Sequence, residues 1–81
     1  MNHTEALKSI LKRTGLSQRT VANRLGLRSS STVSMRMSRE TARLYNIAEL
    51  LDAMGYEMVV MPKNCPPLPE DAYAIRGEDY P

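Results

Sequence analysis

Two glycines, Gly15 and Gly26, divide the beginning of the chain into two short helical segments. Each follows the last apolar residue of a repeat, where glycine ends a helix because it lacks a Cβ and tolerates the left-handed conformation. In the first segment Leu7, Ile10 and Leu11 lie at the i, i+3, i+4 spacing of a helix. The chain is therefore predicted to begin with two short helices that cannot merge into one.

Hydroxyl residues stand where these two helices are predicted to begin. Thr4 precedes the first apolar repeat, and Ser17 precedes the second, which consists of Val21, Ala22 and Leu25. A hydroxyl at this position accepts a hydrogen bond from a free N–H group of the first turn. We therefore expect Thr4 and Ser17 to be the N-caps.

The next stretch, GLRSSSTVSMRMSR, looks like a serine linker. A linker would have no apolar period, however, whereas Val33 and Met37 are four residues apart. Ser30 or Ser31 can cap a helix that runs to about Ser38. The stretch therefore predicts a third short helix with Val33 and Met37 facing the core.

The most regular helical pattern is TARLYNIAELLDAMG, which is followed by YEMVVMP. The apolar positions of the helix are Leu44, Ile47, Ala48, Leu51 and Met54. Gly55 ends this helix, and the β-forming residues after it predict one strand that stops at Pro62. The predicted fold class is therefore mainly α, with four to five helices and one C-terminal strand.

This strand has no visible partner upstream, although its backbone N–H and C=O groups need one. Both of its faces are largely apolar. We expect two copies of the chain to pair these strands antiparallel about a twofold axis. The alternative is a strand-like coil folded onto its own domain. The expected interface residues are Tyr56, Met58, Val59, Val60 and Met61.

Charge is distributed unevenly along the 81 residues. Nine Lys and Arg residues stand against one acid between Lys8 and Arg43, whereas the end from Cys65 onward carries a net charge of −3. A concentration of basic charge attracts polyanions such as nucleic acid, although a solvated basic face is the simpler alternative. We expect one domain at residues 1–63 and an acidic, Pro-rich, flexible tail at residues 64–81.

Composition argues against several other classes of protein. One cysteine and one histidine provide neither a disulfide nor a zinc cluster, so Cys65 is interpreted as an incidental thiol and His3 as a frayed end. No nucleophile and base can be paired, so we expect no enzyme, no metal and no cofactor. With no membrane span or signal peptide evident, we expect a soluble cytoplasmic protein.

The segment LSQRTVANRLGL resembles the helix pair of the XRE family, the Cro and lambda-repressor type of helix-turn-helix domain. The family pattern of Leu-Ser-Gln, then Ala, then Gly is matched by Leu16, Ser17, Gln18, Ala22 and Gly26. The later segment NIAELLDAMGYEMVV is similar to the helix and dimerising strand of HipB-type antitoxins. The resemblance covers roughly residues 4–63, and it implies a lambda-repressor-like domain whose strand pairs across a homodimer.

The family pattern departs from the helical count in the third helix. Counted without a gap, it places apolar residues at Thr32 and Met35, and one extra residue in the turn would instead align Val33 and Arg36. Burying an unpaired arginine is costly, so we predict that Val33 and Met37 face inward.

The resemblance implies that the third helix enters the major groove of DNA while the second crosses the phosphate backbone. Small hydroxyls allow close approach, and a methionine can touch a thymine methyl group. The implied base contacts are Gln18, Ser30, Ser31, Ser34 and Met35. The expected phosphate contacts are Ser17, Arg19, Arg28, Arg36 and Arg39, with a solvated charge as the alternative for each arginine.

These expectations together describe a homodimeric repressor that binds inverted half-sites on double-stranded DNA, spaced about 34 Å apart. The alternative is an antitoxin-type protein that also neutralises a protein partner through its C-terminal tail. An RNA-binding module fits the charge, but Tyr45 is the only aromatic residue in the basic half, so a base-stacking platform is lacking.

Overall fold

The computed structural model describes residues 1–63 and 72–79, which form a mainly helical fold with one small antiparallel sheet. The elements in chain order are α1 (His3–Thr14), α2 (Gln18–Arg24), α3 (Ser30–Ser38), α4 (Leu44–Ala53), β1 (Met58–Val60), β2 (Tyr73–Ile75) and a 3-10 helix (Gly77–Asp79). All four predicted helices are therefore confirmed.

Side-chain caps begin the first three helices. Ser17 caps α2 as predicted, and its hydroxyl accepts a hydrogen bond of 3.1 Å from the Thr20 N–H. The other two predicted caps are wrong. Asn2 caps α1 through the Glu5 N–H at 2.9 Å, and Ser29 caps α3 through the Ser31 N–H at 3.1 Å. Both true caps have the extended backbone that a cap requires, whereas Thr4, Ser30 and Ser31 already lie inside helices.

The connection between α2 and α3 is a tight glycine turn. Gly26 has a φ of +72°, its N–H donates to the Asn23 carbonyl, and the Leu27 N–H donates to the Ala22 carbonyl at 2.8 Å. These two bonds form a Schellman motif, which satisfies the last carbonyls of α2. The turn therefore holds α3 at a defined angle beside α2.

The core lies where α1 to α4 meet. Val33 and Met37 are 0% and 1% exposed, so the predicted register of α3 is confirmed. The prediction for α4 is wrong at two positions, because Leu44 is 51% exposed and Leu50 is completely buried. Leu44 is the first residue of its helix and lies beyond the core, whereas Leu50 extends the buried stripe that includes Ile47.

The prediction of a single C-terminal strand is wrong, because β1 pairs with β2 of the same chain. Met58 lies opposite Ile75, Val59 opposite Ala74, and Val60 opposite Tyr73. Met58 and Ile75 are both half-buried, so the pairing covers apolar surface as well as backbone groups. The partner strand, β2, lies downstream of β1, in the segment that was predicted to be a flexible tail.

The 3-10 helix packs closely on α4. A Cβ atom on Gly77 would lie 3.0 Å from the Cα atom of Glu49, so the two backbones approach as only glycine allows. Arg76 Nε donates to Glu57 Oε2 at 2.7 Å, and this hydrogen bond raises the pKa of the guanidinium above its ordinary value. The segment 73–79 is thus attached to both β1 and α4. Cys65 and the rest of the predicted tail, at residues 64–71 and 80–81, lie outside the described residues.

Candidate nucleic-acid interface

The outward side of α3 carries a line of exposed side chains. Ser31 and Met35 are exposed, and Met35 has a relative exposure of 56%. Met35 lies two positions from both Val33 and Met37, so the burial of those residues turns it away from the core. Ser38, three positions beyond Met35, is also exposed and extends the same line. The prediction did not include Ser38, although its spacing of seven residues from Ser31 places both on one side of a helix. We call Ser31, Met35 and Ser38 the outer line of α3.

The other predicted base-contacting residues lie to the side of this line. Ser30 and Ser34 are half-buried on the side of α3 that turns toward the core. Gln18 is half-buried as the first residue of α2. The structure therefore gathers Ser31 and Met35 on one exposed surface and leaves the remaining three at its margin.

Two of the candidate hydroxyls already have intramolecular partners. Ser31 Oγ lies 2.7 Å from Ser29 Oγ, and Ser17 Oγ lies 3.0 Å from Thr20 Oγ1 in addition to its cap bond. A hydroxyl can donate one hydrogen bond and accept two, so Ser31 and Ser17 each retain capacity for at least one more contact. These bonds also restrict the rotamers, which places the hydroxyl oxygens in defined positions.

The four candidate arginines divide into two groups. Arg19, Arg28 and Arg39 are exposed, at α2, in the turn and after α3. Arg36 is different, because its guanidinium NH1 lies 3.5 Å from Glu49 Oε2 and its side chain is only 25% exposed. The Arg36 side chain therefore points toward Glu49 on α4 and away from the outer line.

The stretch of chain that forms α2 and α3 contains no acidic residue, although Glu49 of α4 pairs with Arg36. No Asp or Glu occurs between Glu5 and Glu40 in the sequence. Lys8, Lys12 and Arg13 are exposed on α1 and extend the positive region. An anion that approached α3 would therefore meet hydroxyl groups, a thioether and flanking cations.

The C-terminal end of α3 is held by α1. His3 Nε2 donates to the Arg39 carbonyl at 2.7 Å, and the Thr4 hydroxyl donates to the Met37 carbonyl at 2.5 Å. These bonds satisfy carbonyl groups that a helix end leaves free. The interpretation of His3 as a frayed end is therefore wrong, because the residue lies in α1 and helps to position α3.

The described part of the chain shows neither a metal-binding cluster nor a membrane-spanning helix. Residues 1–63 and 72–79 contain no group of three or more His, Cys, Asp or Glu residues arranged to hold a metal ion. Within the same ranges, every helix is too short or too polar to cross a bilayer. Comparison with family models, with curated proteins and with solved structures gives no match to this chain.

Proposed function

We propose that this protein is a sequence-specific, double-stranded DNA-binding transcriptional regulator that acts as a homodimeric repressor. In this proposal α2 and α3 form a helix-turn-helix of the lambda-repressor type, and α3 enters the major groove. The observation that carries the proposal is the outer line of α3, which is exposed opposite a buried Val33 and Met37 in a stretch of sequence with no acidic residue between Glu5 and Glu40. Its size and chemistry suit a groove lined by base edges.

The exposed arginines beside α3 are suited to contact DNA phosphates and so to orient the protein on the duplex. Arg19, Arg28 and Arg39 flank the outer line, and a guanidinium group binds phosphate oxygens through paired N–H donors. Ser17, the exposed N-cap of α2, can contribute its hydroxyl to a phosphate contact at the start of this helix. Arg36 is left out of the phosphate set, because its partner is Glu49.

The dimer we propose uses the free edge of β1. Within the described residues the hydrogen bonds of this strand go to β2, which leaves its other edge open. Val59, Val60 and Met61 are 40–53% exposed there, and an apolar open edge favours pairing with another strand. Two copies would then form a four-stranded sheet with the β1 strands at its centre, and two outer lines would face inverted half-sites. Tyr56, which is 37% exposed, and Met58 would complete the interface.

The antitoxin-type alternative requires a C-terminal segment that is free to bind a protein. Residues 73–79 instead pack against β1 and α4, so a partner would have to displace them or extend the sheet. The structure favours the regulator for this reason.

The test is selection of binding sites from a random double-stranded DNA pool, followed by footprinting. We expect an inverted repeat protected over two half-sites about one helical turn apart. Ser31→Arg and Met35→Glu should change or abolish the enriched sequence while the thermal melt stays the same, because both residues are exposed. An unchanged sequence preference in both variants would remove α3 from this role.

A further inference from the structure

Met35 is an exposed apolar side chain in a polar setting. It is 56% exposed, and its neighbours along the outer line are the hydroxyl residues Ser31 and Ser38. Nothing in the core requires a methionine at this position, since the buried side of α3 is filled by Val33 and Met37. An unbranched thioether is flexible and adapts its shape to an apolar partner.

The rest of α3 lacks the side chains that read most bases. Residues 30–38 contain no Asn, Gln, Asp, Glu or Lys, so paired hydrogen bonds to adenine and acceptor contacts to cytosine are unavailable from this helix. Its one arginine, Arg36, is paired with Glu49. Single hydroxyl contacts discriminate weakly, because a hydroxyl accepts and donates equally well. The only strongly distinctive contact left to the outer line is an apolar one.

Thymine offers the matching group, because its C5-methyl is the apolar feature of the major groove. Resting on the function proposed above, we propose that Met35 is a specificity-determining residue that reads thymine through this methyl group. Each half-site then contains an A·T pair whose thymine lies beneath Met35. Ser31 and Ser38, on either side, contact the neighbouring positions and leave them less strictly defined.

The expected effect follows from the burial of one methyl group. Burial of a methylene-sized group contributes about 0.8 kcal/mol, which corresponds to a change of about fourfold in affinity per half-site. Two half-sites in a symmetric operator then give about 15-fold. This difference is large enough to measure by titration at constant salt.

The experiment combines a deletion in the protein with a deletion in the DNA. Each thymine of the selected operator is replaced in turn by deoxyuridine, which removes the methyl group and keeps the base pair. Wild-type protein, Met35→Ala and Ser38→Ala are titrated against every form. We expect one symmetric pair of positions where deoxyuridine weakens binding about 15-fold for the wild type and for Ser38→Ala. At the same positions, Met35→Ala should bind the thymine and deoxyuridine operators with equal affinity.

A second DNA substitution separates the methyl group from the base. An operator with 5-methylcytosine·guanine at the same positions should bind the wild type more tightly than one with cytosine·guanine, and Met35→Ala should not distinguish the two. If deoxyuridine at every position leaves wild-type affinity unchanged, or weakens wild type and Met35→Ala equally, the assignment of Met35 is overturned while the regulator stands. If selection enriches no sequence at all, the proposed function itself fails.

Discussion

Gly77 is the residue at which the C-terminal segment approaches α4 most closely. An added Cβ would lie 3.0 Å from the Cα of Glu49 and 3.3 Å from its backbone nitrogen, neither of which can rotate away. We expect Gly77→Ala to lower the free energy of unfolding by about 1–3 kcal/mol through overpacking. Urea denaturation measures the change. Glu78→Ala is the control, with an expected change below about 0.5 kcal/mol, because Glu78 is 69% exposed and its ion pair with Arg76 is 3.9 Å long.

Met35 and Met37 provide a matched pair on one helix. The same substitution by alanine removes the same atoms, but Met37 is 1% exposed and Met35 is 56% exposed. We expect Met37→Ala to cost about 2–5 kcal/mol, because it leaves a cavity, and Met35→Ala to change stability by less than about 0.5 kcal/mol. Thermal or urea unfolding of the two variants provides the comparison. Equal losses would contradict the register of α3.

The roles of some residues could be predicted from local sequence patterns, whereas the roles of others could not. Ser17 and the burial of Val33 follow from spacing within a few residues, which the sequence displays directly. The partners of His3 and Thr4 are carbonyls of Arg39, just after α3, and Met37, within it, which lie 36 and 33 residues away. No periodic pattern encodes such pairs, because they depend on how α1 packs against α3.

At the scale of elements, helix ends were more predictable than strand partners. Gly26 and Gly55 have φ values of +72° and +84°, and both end helices where the apolar repeat stops. β2 has three residues, too few to show alternation, and lies in a stretch rich in proline and acid. The pairing of β2 with β1 therefore could not be predicted from the sequence, and the structure reveals it by placing Ile75 opposite Met58.

The open edge of β1 carries the prediction about assembly. We expect Val59→Asp to convert the proposed dimer into a monomer in sedimentation velocity, because a carboxylate would be desolvated where the two β1 strands pair. Val59 is 41% exposed in the single chain, so the circular dichroism spectrum of the variant should remain helical. Tyr73→Asp is the matched control, since Tyr73 lies on the outer strand and is 67% exposed. Dimers that persist in Val59→Asp and dissociate in Tyr73→Asp would mean that β2 forms the interface.

For the whole molecule, the separation of charge predicts how binding depends on salt. In the proposed complex, three exposed arginines per protomer would make six phosphate contacts in a dimer, so the slope of log K against log salt concentration is expected near −5. Each of Arg19→Ala, Arg28→Ala and Arg39→Ala should reduce its magnitude by about 2, because every substitution acts twice in a dimer.

Arg24→Ala is the control for this series. The Arg24 guanidinium donates to the Ala53 carbonyl at 2.8 Å, which ties α2 to the end of α4. Its loss should lower stability and leave the salt slope unchanged. A slope that falls equally in Arg24→Ala would indicate that general charge, rather than position beside α3, determines the dependence.

The pairing of β1 with β2 also has a consequence for the order in which the chain folds. The contacts among α1 to α4 are made within the first 54 residues, whereas the sheet has to wait for residues 73–75. Its two strands have three residues each, and four of those six residues are exposed, so the sheet is expected to form last and to open first. The amide hydrogens of Tyr73 to Ile75 should then exchange with solvent through a local opening, while those buried in α3 and α4 exchange only when the whole domain unfolds.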